Sequence, residues 1–263
     1  MATPNPPREA RIALLIDADN SPAARIELIL AELAKFGVAN VRRAYGNWKK
    51  SELKGWEKVL HEFAIRPIQQ FDVSKGKNAT DMLIAIDALD LLYTDRPDAY
   101  GLVSSDADFT PLVMHLRAKG AAVYGFGAKK TPEPFVNACS RFLYLESLGA
   151  GSAAADASGA EPGTDKAGKA RAAAPRKTAG AELRRDARLV SLLRNAVDNA
   201  AGEDGWSQLG AVGSQIANQA SFDPRNHGFR KLADLIEAIG LFELDKRGSH
   251  LYVRERRKAA AAA

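Results

Sequence analysis

Through residue 148, short β-rich runs alternate with longer stretches of helical apolar spacing, and that alternation admits little besides a parallel sheet covered by helices. Strands are expected at Arg11 to Asp17, Val41 to Tyr45, Ile65 to Phe71, Tyr100 to Ser104, Ala122 to Phe126 and Phe142 to Glu146. Between the first two, Ile26, Leu30, Leu33 and Ala34 recur at helical spacing and Gly37 closes the run. From Asn78 to Tyr93, Met82, Ile86, Leu89 and Tyr93 fall on one helical face. Thr110 to Lys119, ended by Gly120, reads as a further helix. The expectation is an α/β doubly wound domain over residues 10–148, with helices on both faces of a parallel sheet.

From Gly149 to Gly180 the chain is nearly all Ala, Gly, Ser, Pro, Thr, Lys and Arg. With no bulky apolar residue it cannot offset its ordering entropy by burial, so residues 149–181 are expected as a disordered linker. A core-forming pattern resumes over 182–255. Leu189, Leu192, Leu193 and Ala196 lead, then Leu209, Val212 and Ile216, then Phe229, Leu232, Leu235 and Ile236. Short strands at Leu241 to Leu244 and Leu251 to Val253 follow, so three helices and a terminal hairpin describe a small winged helix-turn-helix domain. Residues 256–263 read as a tail.

No apolar run approaches the roughly 18 to 20 residues of a membrane span. The polar, Pro-rich start has no secretory pattern and Cys139 has no second cysteine to pair with, so the expected address is cytoplasmic. The net charge of +5 favours an anionic partner. The surplus is not concentrated: Lys and Arg exceed Asp and Glu by 19 to 18 in residues 1–149, 5 to 3 in 150–181 and 13 to 11 in 182–263. Any nucleic-acid surface must therefore be assembled by the fold.

The placement of the acids carries the chemistry. Asp17 and Asp19 follow the first strand in Ile16-Asp17-Ala18-Asp19-Asn20, and Asp106 and Asp108 follow the fourth in Ser104-Ser105-Asp106-Ala107-Asp108. Ligands of open parallel sheets sit outside the carboxyl ends of the strands, so both groups share one rim. Asp81, in Asn78-Ala79-Thr80-Asp81, starts a helix that returns along the sheet. Any one of these residues alone reads as a cap or turn residue. Together they form a cluster that repels itself unless a cation neutralises it. Hard oxygen donors without Cys or His clusters select Mg2+ or Mn2+, the ions of metal-assisted phosphodiester hydrolysis. Asn20 could orient a water or a phosphate. Asp19 should face away from Asp17 if the strand continues, and Asp87 and Asp90 read as solvated.

These three strings, in this order and spacing, resemble the NYN domain, a branch of the PIN-like nucleases, over about residues 10 to 148. The resemblance implies a PIN-like sheet and ribonuclease activity. It implies Asp17, Asp81 and Asp106 as metal ligands, Asp108 as a further or water-mediated ligand, and Asn20 as a site-shaping residue. Beyond the linker, Trp206, Leu209, Val212, Gly213 and Ile216, then Ser221-Phe222-Asp223-Pro224-Arg225, then Gly228-Phe229-Arg230-Lys231-Leu232 resemble the LOTUS or OST-HTH domain. That resemblance implies an RNA-binding role and leaves room for a protein partner or a homo-oligomer through this domain.

Basic residues supply the substrate side. Arg42, Arg43, Lys49 and Lys50 flank the second strand with Tyr45 and Trp48 interleaved, and Lys75 and Lys77 precede Asp81. Cations with aromatics suit single-stranded nucleic acid, and structured RNA is also admitted. Lys54 and Lys58 read as a solvated face. In the second domain Arg225, Asn226, His227, Arg230 and Lys231 could grip phosphates, while Phe222 and Phe229 read as core and Gly228 as a left-handed or close-approach position. The expected function is a divalent-metal-dependent ribonuclease with a C-terminal module for substrate capture. Two alternatives stay open. One is a haloacid-dehalogenase-like phosphatase, for which Asp17-Ala18-Asp19 would be nucleophile and acid. The other is a non-catalytic RNA-binding adaptor. Gly125-Phe126-Gly127-Ala128-Lys129-Lys130 lacks P-loop spacing and reads as a strand-end turn. Cys139 reads as core.

Overall fold

A computed structural model describes residues 9–71, 78–149, 178 and 180–256. Lys75 and Lys77, most of the expected linker and the tail from residue 257 lie outside the described residues. The chain divides into two compact units, Met1–Leu148 and Gly149–Ala263.

In the first unit the elements run β1 (Arg11–Asp17), α1 (Ile26–Leu33), β2 (Val38–Gly46), α2 (Trp56–Glu62), β3 (Arg66–Gln69) and α3 (Ala79–Thr94), then β4 (Ala99–Val103), α4 (Thr110–Ala118), β5 (Ala122–Gly127), α5 (Glu133–Ala138) and β6 (Arg141–Tyr144). The six strands form one parallel sheet in the order β3-β2-β1-β4-β5-β6. The doubly wound architecture read from the sequence is the one observed. The winding direction reverses between β1 and β4, and the crevice at their carboxyl ends is where ligands of such sheets bind.

Strand periodicity divides β1 between two cores. Ala13 and Leu15 pack with Ile84, Ala88 and Leu91 of α3 and with Leu112, Val113 and Leu116 of α4. Ile12, Leu14 and Ile16 pack with Ile26, Ile29 and Leu33 of α1 and with Trp56 of α2. Asp17 continues the odd series, so the pleat directs it toward the face that carries α3.

The phase of α3 differs from the spacing-based reading. Met82, Ile86 and Tyr93 are more than half exposed, while Ile84, Ala88, Leu91 and Leu92 are buried. The helix is apolar nearly all round, so periodicity does not pick the inner side, and the polar groups that would mark the outer side are partly turned inward. Asp87 illustrates this, since it is half-buried and takes Oδ2 contacts from Arg43 Nη1 at 2.7 Å and Tyr45 Oη at 2.6 Å.

The glycine-rich string after β4 belongs to β5 and its end. A Cβ at Gly127 would stand 2.6 Å from the Ser104 carbonyl oxygen, so glycine there lets β5 close on the strand end that leads to Asp106. Cys139 is buried against this core, and burial pushes its thiol up to about 12, which makes it inert at neutral pH.

The second unit runs α6 (Gly180–Arg185), α7 (Ala187–Asn199), β7 (Ser207–Gln208), α8 (Leu209–Gln219), α9 (Leu232–Ile239), β8 (Phe242–Arg247) and β9 (His250–Glu255). Three antiparallel strands pair in the order β7-β9-β8. The Asp186 side chain caps α7 by accepting from the Leu189 amide at 2.9 Å. Leu189, Leu193, Val212, Ile216, Phe229, Leu235 and Val253 share one core, with Phe222 packed partly buried at its edge. Gly228 takes φ +82, the left-handed conformation its sequence context suggested. This is the expected small helical domain with a hairpin. The short β7 and the extra helix α6 lie outside what periodicity predicted. Among the described residues no helix is long and apolar enough to cross a membrane.

Candidate functional site

At the end of β1 the Asp17 carboxylate is fully buried. It accepts from the Asn20 amide at 3.3 Å, Asn20 Nδ2 at 3.0 Å and Ser104 Oγ at 3.3 Å. Burial raises its pKa, against the opposing effect of these donors and with the help of the nearby Asp19 charge. Ser104, the first residue beyond β4, also accepts from the Asp106 amide at 3.1 Å, so one hydroxyl ties the ends of the two central strands together. Asp106 Oδ1 accepts from the Asp108 amide at 2.9 Å and sets the turn that leads into α4.

Asp81 enters from the first turn of α3. Burial and the charges of Asp17, Asp106, Asp108 and Asp19 push its carboxyl up to about 6. The charges of acids from three distant segments therefore act on one another at the carboxyl ends of β1 and β4. Among the described residues none of Asp17, Asp81, Asp106 and Asp108 forms an ion pair with lysine or arginine. Asp108 accepts from Asn78 Nδ2 at 3.0 Å. β1 ends at Asp17, so the strand pleat does not set the direction of Asp19, which accepts from Lys50 Nζ at 3.1 Å and Thr80 Oγ1 at 3.1 Å and whose charge acts on both Asp17 and Asp81.

Among the described residues no three His, Cys, Asp or Glu side chains are close enough together to ligate one metal ion as they stand. The donor chemistry nevertheless fits a hard divalent cation, because every candidate ligand is a carboxylate and, among the described residues, none of Asp17, Asp81, Asp106 and Asp108 has a cationic partner. Asp81 and Asp106 are half-buried and Asp108 is exposed, so these three have room to turn toward a shared ion.

The basic residues divide. Lys49 is exposed and sits 5.0 Å from the centre of the Phe71 ring, and Lys50 borders the acids through Asp19. Arg43 is committed to Asp87 beneath α3, an arrangement that supports the fold and engages its guanidinium. Tyr45 is fully buried and cannot stack on a base, and Trp48 is partly buried with its indole nitrogen donating to the Ile68 carbonyl at 2.9 Å. In the second unit Arg225 grips Asp223 through Nε at 2.9 Å and Nη2 at 2.8 Å, a structural pair beside the left-handed turn. His227 is stacked on Phe222, and burial lowers its pKa. Arg230 and Lys231 are exposed at the start of α9.

Sequence reasoning missed Ser104, Thr80 and Asn78, each of which bonds a rim carboxylate. Their only signal was adjacency to the acids, in Ser104-Ser105-Asp106 and Asn78-Ala79-Thr80-Asp81.

The sequence profile of the NYN domain matches residues 11–146, more than half of the chain and the whole of the sheet just described. The chain belongs to the NYN domain family. The profile of the OST-HTH/LOTUS domain matches residues 184–253, after the NYN domain as the two resemblances ordered them. An uncharacterized protein of Methanocaldococcus jannaschii is 30% identical over 125 residues, which are 46% of this chain and 49% of that protein. The chain thus spans about half the length of the curated relative it matches. Among solved structures, a protein of unknown function from Vibrio parahaemolyticus aligns with TM-score 0.43 and 18% identity over 53% of this chain and 95% of its own. An uncharacterized protein of Nitrosomonas europaea aligns with TM-score 0.28 and 24% identity over 39% of this chain and 99% of its own.

Proposed function

We propose that this NYN protein is a divalent-metal-dependent ribonuclease whose N-terminal domain hydrolyses RNA phosphodiesters and whose LOTUS domain captures the substrate. The observation that carries the reading is Asp81, pushed up to about 6 at the crevice of a parallel sheet by burial and four neighbouring carboxylates. A crevice in which, among the described residues, Asp17, Asp81, Asp106 and Asp108 have no cationic partner is suited to a cation.

Asp17, Asp81 and Asp106 would hold Mg2+ or Mn2+, with Asp108 as a further or water-mediated ligand. Such an ion supplies Lewis-acid polarisation of the phosphate and a nucleophilic water at neutral pH. The protein's own residues do the rest. Ser104 fixes the Asp17 carboxylate and the turn of Asp106 in one register. Asn20, which now covers Asp17 with its amide, turns aside to orient a water or a phosphate oxygen. Lys49 and Lys50 face the RNA backbone beside the rim, and Lys75 and Lys77 are assigned the same role from sequence. In the LOTUS domain Arg230 and Lys231 are the exposed phosphate contacts, while Arg43 and Arg225 act through the fold.

The phosphatase alternative asks Asp17 to attack phosphorus. The match of the NYN profile to residues 11–146 supports the nuclease reading over that one. The proposal is tested by incubating purified protein with labelled single-stranded RNA, structured RNA and DNA in Mg2+, Mn2+ or chelator. Metal-dependent RNA cleavage, lost in Asp17→Asn and Asp106→Asn with RNA binding retained, is the expected result. Undiminished cleavage in both variants would remove the acids from the chemistry.

A further inference from the structure

A groove of about 570 Å³ runs from the acid rim between α3 and α4. Its mouth is formed by Asn78, Asp81 and Asp108, and its walls by Met82, Leu89 and Tyr93 of α3 and by Pro111, Leu112 and His115 of α4. The volume falls within the range of small-molecule sites. Among the described residues, four large apolar side chains left exposed, Met82, Ile86, Tyr93 and Met114, stand on these two helices. At the far end Tyr93 Oη lies 3.3 Å from His115 Nε2, a polar pair in an otherwise apolar trough.

We infer that this groove seats the unpaired bases of single-stranded RNA next to the scissile phosphate, and that Tyr93, Met82 and His115 set which bases are accepted. The inference deepens the nuclease reading and rests on it. Charge separates the two sides of the strand. Among the described residues no lysine or arginine lines the groove, whereas Lys49 and Lys50 lie on the β2 side of the acids. Apolar and aromatic surfaces suit base faces, and the Tyr93–His115 pair offers a donor and an acceptor to a base edge. Twelve residues of helix separate Asp81 from Tyr93, about 18 Å, which is room for more than one nucleotide. A protein seated in the groove would cover Asp81 and Asp108, and the occupant that requires those two residues at its end is the substrate.

The test uses the full chain carrying Asp106→Asn and a single-stranded RNA containing 5-iodouridine. After photo-crosslinking, labelled peptides are expected from residues 79–94 and 110–118. Crosslinks confined to residues 182–256 would overturn the inference. The crosslink is read on uncut RNA, so it judges the groove even if the unsubstituted chain cleaves nothing, a result that would defeat the nuclease reading separately. In the active chain, Tyr93→Ala and Met82→Ala remove exposed side chains and spare the core. Each is expected to raise KM for single-stranded RNA about tenfold, with a smaller effect on kcat and a flattened base preference beside the cut. Equal KM and equal preference would contradict the inference. So would loss of a self-associated form by sedimentation with RNA crosslinking intact, which would assign the face to a second copy of the chain.

Discussion

At the residue scale, carboxylates are kept where they repel one another. Asp81 illustrates the stability consequence, since its folded pKa of about 6 exceeds the unfolded value of 3.8. A raised carboxyl favours the protonated form, so its contribution is harmless below pH 4 and destabilises the metal-free fold as pH rises through 6. Solvent screening of the half-exposed side chain reduces the effect to about 1 kcal/mol. Asp81→Asn should therefore stabilise metal-free protein by about 1 kcal/mol at pH 8 in urea titrations, with no gain at pH 4. A variant less stable than the parent at pH 8 would show that Asp81 is relieved by a partner. Ser104→Ala removes the hydroxyl shared by Asp17 and Asp106 and should lower kcat about 10- to 100-fold, while Ser104→Thr retains part of it. The strand-end acids were readable in the sequence because chain position alone puts them at the rim. Ser104 was not, because a serine beside an aspartate carries no sign of which oxygen it will meet.

At the element scale β1 and α3 do opposite things to sequence reading. In β1 the alternation of Ala13, Leu15 and Asp17 against Ile12, Leu14 and Ile16 gives strand, ends and facing together. In α3 the element and its bounds follow from spacing, but its rotation does not. Of the side read as one apolar face, Met82, Leu89 and Tyr93 line the groove, and the burial of Asp87 under Arg43 and Tyr45 fixes the helix the other way. That triad holds α3, and with it Asp81, against β2. Tyr45→Phe deletes a donor to a charged carboxylate and should cost about 1.5 kcal/mol in chemical denaturation. A cost near zero would mean that packing alone sets the rotation. The short helices α2 and α5 escaped notice because seven and six residues are too few for an apolar period to register.

At the scale of the whole molecule the proposed function assigns cleavage to one domain and substrate capture to the other. Deleting residues 150–263 should raise KM for RNA more than it lowers kcat, since tethering raises the local substrate concentration without touching the acids. Equal loss in both constants would place part of the active site in the LOTUS domain. The order of the domains was legible because each contains its own apolar pattern. The way Arg43 and Arg225 are spent was not, because a basic residue in sequence looks the same whether it meets a phosphate or an internal aspartate. The claim that the NYN rim is a cation site is tested most directly by calorimetric titration of Mn2+ into the full chain and into its Asp81→Asn and Asp106→Asn variants. Saturable binding by the parent, weakened at least tenfold in each variant, is the predicted result. Identical Mn2+ uptake by all three proteins would contradict it.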